Sequence, residues 1–90
     1  MQKDFVVSIP TIYDYYNEET IRDMLKPIKD VVYFSWVYDI NKKKILEIHI
    51  SIYCCEPKHK KDILRVFPDG KLIDKPREKN KCYYHIATME

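Results

Sequence analysis

One glycine, one glutamine and no long apolar run are what this chain of 90 residues is short of. A single glycine leaves no glycine-rich loop to cradle phosphates, which excludes the P-loop and dinucleotide fingerprints. No stretch reaches the length of a membrane helix, and no basic segment leads into an apolar one near the N-terminus. The expectation is an intracellular protein, cytoplasmic or, in a eukaryotic host, nuclear, with no membrane partner. Three cysteines, two of them adjacent at Cys54 and Cys55, do not make a secreted disulfide framework. No glycine-flanked serine and no cysteine-protease surroundings occur, so ordinary hydrolase chemistry fits poorly.

What is present is folded material. Apolar residues at 46% and charged residues at 33% belong to a globular chain, and the length makes residues 1–90 one small domain with one working face. The formal charge of +2 hides a division: residues 1–55 carry seven Lys/Arg against eight Asp/Glu, residues 56–81 nine against five. A local excess of that sign is either a solvated surface or a phosphate-binding footprint.

Alternation over residues 5–9 predicts a first strand, ended by Pro10. Asn17 can cap a helix from Glu18, where Ile21, Met24, Leu25 and Ile28 form a core stripe that Pro27 cuts short. Residues 31–38 and 45–53 read as two strands of a hairpin around Asn41, Lys42 and Lys43. Pairing Tyr38 with Leu46, Trp36 with Ile48, Phe34 with Ile50 and Val32 with Ile52 gathers the large apolar residues on one face. The other face then carries Val31, Tyr33, Ser35 and Val37 opposite Tyr53, Ser51, His49 and Glu47. Pro57 suits the first turn of a second helix running to Val66, with Ile63, Leu64 and Phe67 inward. Pro68 to Gly70 make a turn, residues 71–74 a short strand, and residues 78–88 a third helix, although "CYYHIAT" also suits a strand. The predicted class is α+β: an antiparallel sheet with a central hairpin and two or three helices.

The polar hairpin face supplies the candidate chemistry. Glu47 and His49, two residues apart on one strand face, can share a proton or a divalent metal, and Tyr33 and Tyr53 can stack bases. Cys55 with His59, and Cys82 with His85, have zinc-ligand intervals, but the 22 residues between the pairs exceed the usual small zinc module. Buried thiols with exposed histidines are the plainer account.

The order of these segments resembles the rolling-circle replication initiators of small circular single-stranded DNA viruses, whose catalytic domain is a histidine-motif (HUH) endonuclease. "FVVSIP" at 5–10 is similar to the first motif, "IHIS" at 48–51 stands at the metal-binding histidine motif, and "LIDKPREKNKCYY" at 72–84 leads to the nucleophilic tyrosine. The resemblance implies a ferredoxin-like, HUH-like fold and Tyr83 or Tyr84 as nucleophile on a DNA phosphodiester. It also implies magnesium or manganese at His49, Glu47 and Asp39, zinc fitting less well. If the chain is an enzyme, it is a metal-dependent nickase of single-stranded DNA. Ser51 replaces the second histidine, and Ile86 and Ala87 stand where a lysine follows the tyrosine, as in a relative that kept the fold and lost nicking.

The expected function is nucleic-acid binding, single-stranded DNA favoured. Lys58, Lys60, Lys61, Arg65, Lys75, Arg77, Lys79 and Lys81 would meet phosphates, and Tyr33, Tyr53, Tyr83 or Tyr84 would stack on bases. The alternative is a viral or mobile-element interaction module whose tyrosine-rich surface regulates or inhibits a host complex.

Overall fold

A computed structural model describes residues 1–11, 16–73 and 85–89. The elements in chain order are β1 (Gln2–Pro10), α1 (Glu18–Leu25), β2 (Val31–Ile40), β3 (Leu46–Lys58), α2 (Lys60–Val66), β4 (Lys71–Ile73) and β5 (His85–Thr88). The strands form one antiparallel sheet in the order β4-β1-β3-β2-β5. Since β3 is antiparallel to both neighbours, β1 and β2 run parallel with β3 between them. The class is α+β, with two helices among the described residues. No helix among these residues is long and apolar enough to cross a membrane.

The start of α1 follows from its capping residues. The Asn17 side chain accepts from the Thr20 N–H at 2.9 Å, and the Thr20 hydroxyl accepts from the Asn17 N–H at 2.8 Å. Two of the amides that a helix start leaves without partners are thereby satisfied. Ile21, Leu25 and Ile28 from α1 and its exit, with Ile63 and Phe67 from α2 and its exit, pack on Phe5, Val7, Ile9, Phe34, Trp36, Ile48, Ile50 and Ile52. Those strand residues are the odd positions of β1 and the even positions of β2 and β3, so alternation alone assigns them to one face. Each large side chain so buried contributes roughly 1.5–3 kcal/mol. Arg22 ties the last strand to this layer: its Nη2 donates to the Thr88 carbonyl at 2.9 Å, and its guanidinium carbon lies 5.6 Å from the Phe34 ring centroid.

Four sequence expectations are corrected. The β2–β3 register is two residues from the predicted one, with Tyr38 opposite Ile48, Trp36 opposite Ile50 and Phe34 opposite Ile52. The turn sets this: the Asn41 N–H donates to the Ile45 carbonyl at 3.0 Å, and the Lys44 N–H to the Asn41 carbonyl at 2.9 Å. That closes a three-residue loop with Lys44 left-handed at φ 62°. The Asn41 Oδ1 accepts from the Lys43 and Ile45 amides at 2.8 and 3.0 Å and holds the turn in shape. Second, a register shift between Val31 and Tyr33 sets Val31 opposite Cys54 and against the core, off the polar face. Half-exposed Val32 takes up the extra residue. Third, Pro57 lies within β3 and not in a helix. β3 runs on to pair Lys58 with Gln2 past an irregularity where a residue without an N–H is tolerated. Fourth, residues 85–88 are a strand, because the Tyr33–Trp36 segment of β2 offers backbone groups that need partners. Residues 78–84 of that expected helix lie outside the described residues.

Candidate nucleic-acid interface

The sheet face away from the helices carries Asp4, Val6 and Ser8 of β1, Tyr33, Ser35, Val37 and Asp39 of β2, and Glu47, His49, Ser51 and Tyr53 of β3. The two-residue register shift gives this face its main feature. Tyr33 stands directly opposite Tyr53, and their rings stack with centroids 5.0 Å apart and planes 18° apart. Tyr33 is 42% exposed and Tyr53 is half-buried, so the pair presents an aromatic surface to solvent. Ser35 and Ser51, also opposite one another and half-buried, extend this open end.

The other end of the same face is closed. His49 is 2% exposed, Val37 and Asp39 5%, and Ser8 8%. The His49 Nε2 lies 3.3 Å from the Glu47 Oε1, and its Nδ1 has no hydrogen-bond partner among the described residues. The Glu47 Oε2 accepts from the Asn41 Nδ2 at 2.9 Å, and the Asp39 Oδ1 accepts from the Ile40 N–H at 2.8 Å. The predicted metal set of His49, Glu47 and Asp39 therefore shares one face, with Asp39 opposite Glu47, but three of its oxygens are engaged in fixing the hairpin and the imidazole. No group of three or more His, Cys, Asp or Glu among the described residues is arranged to hold a metal ion. Of the zinc intervals, Cys55 and His59 are both exposed, while Cys82 and the His85 side chain lie outside the described residues. Cys54 is buried, and desolvation pushes its thiol above the usual range, offset in part by the Lys58 charge.

The basic residues gather at the rim, where β3 hands over to α2. Met1, Gln2, Lys58, His59, Lys60 and Lys61 line a cleft of about 430 Å³ with no carboxylate in its wall among the described residues. Lys58 is half-buried, and its ammonium bonds the Asp30 carboxylate at 3.0 Å. That hydrogen bond, against some desolvation, holds the Lys58 ammonium above its ordinary 10.5. Arg65 lines a second groove on the helix side with Pro27, Lys29, Asp62 and Lys58. Of the predicted phosphate contacts, the structure thus brings Lys58, Lys60 and Lys61 together in one cleft and sets Arg65 in a neighbouring groove that shares Lys58. Lys75, Arg77, Lys79, Lys81, Tyr83 and Tyr84 lie outside the described residues.

Sequence reading missed Gln2, Asp4 and Val6, which join Lys60, Leu72 and Ile73 around a smaller groove of about 160 Å³. Hydrophobic pattern gave no signal for this extension of β1, since Gln2, Lys3 and Asp4 are all polar and the apolar alternation stops at Phe5. It also missed Lys71, which pairs with Ser8 across the β1–β4 ladder. Compared with known proteins, the chain matches no family profile, and no curated protein or solved structure is significantly similar to it.

Proposed function

We propose that the chain binds single-stranded nucleic acid, DNA favoured, through the open end of its polar sheet face. One observation carries the reading: a solvent-facing stacked tyrosine pair at the same end of the sheet as a cleft lined by three lysines. Stacking on aromatic rings is available to bases that are not already stacked within a duplex, and contributes roughly 1–3 kcal/mol per base. Lysines supply the phosphate contacts and make the affinity fall with salt.

The same reading takes the fold as ferredoxin-like and the chain as a rolling-circle initiator relative without nicking activity. The order β4-β1-β3-β2, with a helix after β1 and another after β3, supports the first part. Support for the second is Ser51 where a ligand is wanted, and an imidazole that is buried and engaged with Glu47.

The test is titration of labelled single-stranded DNA, duplex DNA and RNA across a salt series. The single strand is expected to bind best, with log affinity falling against log salt by about 0.7 per phosphate contacted. Absent or salt-insensitive binding overturns the reading. Incubation of a single-stranded oligonucleotide with manganese is expected to leave no covalent adduct.

A second reading has its own observation. Ile40 and Ile45, 62% and 45% exposed, flank the hairpin turn as an apolar tip suited to a protein partner. On that reading the chain is a viral or mobile-element module that regulates a host complex; it co-purifies with a protein and has no nucleic-acid affinity.

A further inference from the structure

The tyrosine pair is one part of a row. Tyr33, Tyr53 and Asp4 stand opposite one another on β2, β3 and β1, at right angles to the strands. Asp4 then forms a wall of the smaller groove, together with Val6 and Lys60. Lys60 in turn lines the larger cleft with Lys58 and Lys61. In the opposite direction along the strands the face is closed by buried His49, Val37 and Asp39. Among the described residues, a polymer stacked on the two rings therefore has a route toward positive charge across β1, past Asp4 and Lys60.

We infer that a bound single strand crosses the sheet perpendicular to its strands, bases over Tyr33 and Tyr53, backbone passing Asp4 into the cleft of Lys60, Lys61 and Lys58. The inference rests on the nucleic-acid reading and adds to it a direction and a contact order. Neighbouring strands lie about 4.8 Å apart, so the route from β2 past β1 covers roughly 15 Å. Four or five stacked nucleotides at about 3.4 Å each span it. Asp4 is the carboxylate on this route among the described residues lining the two grooves, and it opposes the phosphates that pass it. Its charge limits how tightly the site holds a polyanion.

Fluorescence anisotropy with a labelled oligothymidylate of about 20 nucleotides, over a salt series, tests the route on the full chain and three variants. Lys60→Gln/Lys61→Gln is expected to weaken low-salt binding roughly tenfold and to lower the salt slope by about 1.4. Lys42→Gln/Lys43→Gln removes the same charge at the hairpin turn and is expected to leave the slope unchanged. Asp4→Asn is expected to tighten binding roughly twofold to fivefold. All three changes are at exposed positions, and a thermal melt confirms that each variant is folded. The route is overturned if the two lysine pairs weaken binding equally, or if Asp4→Asn leaves affinity unchanged or lowers it, while binding by the unaltered chain keeps the broader reading. No binding by the unaltered chain removes both.

Discussion

Gly70, the only glycine in the chain, offers a test of the packing beneath β4. Its φ is not positive, so conformational freedom is not the reason a glycine stands there. Space is: a Cβ at this position would lie 2.5 Å from the Val7 Cγ1, 3.0 Å from the Phe67 carbonyl oxygen and 3.1 Å from the Phe67 Cβ. Carbon atoms in contact prefer about 3.5–4.0 Å, so the methyl of Gly70→Ala overlaps Val7 by about 1 Å. Val7 is fully buried in the middle of β1 and Phe67 is 1% exposed, so neither yields without disturbing the core. Overpacking of this kind costs about 1–3 kcal/mol, equivalent to roughly 4–8 °C of melting temperature per kcal/mol in a domain of this size. Val7→Ala removes the clashing atom and alone costs about 2 kcal/mol through lost burial and a cavity. In the double variant the new methyl occupies part of that cavity, so the two costs are expected to fall short of their sum by at least about 1 kcal/mol. Urea denaturation of the four proteins measures this directly. Strict additivity, or a cost below about 0.5 kcal/mol for Gly70→Ala, would refute the packing argument.

Three further outcomes are expected. Lys44→Gly relieves a left-handed residue in the hairpin turn and should raise stability by about 0.5–1 kcal/mol in the same urea assay, whereas a loss would show that the Lys44 side chain compensates its backbone. The Lys58 ammonium is held above 10.5 by Asp30, so the stability it contributes is complete below that pH and is lost as pH rises through the raised value. Thermal melts of the unaltered chain and Asp30→Asn should therefore converge above pH 10.5, and a constant difference from neutral to strongly alkaline pH would contradict the pairing. Brief alkylation at mildly alkaline pH, mapped by mass spectrometry, should modify exposed Cys55 and spare buried Cys54 until denaturant is added. Equal labelling of the two would deny that Cys54 belongs to the core.

Local signals were the most legible. Asn17 announced the start of α1, its apolar stripe reached the core, and alternation divided the faces of β2 and β3 correctly from Tyr33 onward but not at Val31 and Val32, where the irregularity exchanges the two faces. Register was harder for a physical reason: a shift of two residues preserves which face every side chain occupies, so hydrophobic patterning cannot detect it. The turn decides it, and the left-handed position that glycine would have marked is held by Lys44. The consequence fell on the candidate site itself, since the predicted pairing separated Tyr33 from Tyr53 and the observed one stacks them. Pro57 was ambiguous because a residue without an N–H suits a helix start and a strand irregularity alike. Alternation set His49 on the polar face but carries no information about cover, so the burial of that end was not legible. The gathering of Lys58, Lys60 and Lys61 beside Gln2 depends on β1 pairing with the far end of β3, a contact between distant parts of the chain.

That distance also orders the events of folding. The hairpin of β2 and β3 closes a loop of three residues, whereas Val7 meets its partner Ile50 from forty-three residues away. Closing the longer loop costs about 2 kcal/mol more in chain entropy before any contact rewards it. On this ground β3 is expected to pair first with β2 and only later with β1, so that the stacked rings form before the charged cleft, which needs β1 and α2 in place. Mutations at the β2–β3 turn should then slow folding more than mutations in β1, measured by stopped-flow refolding.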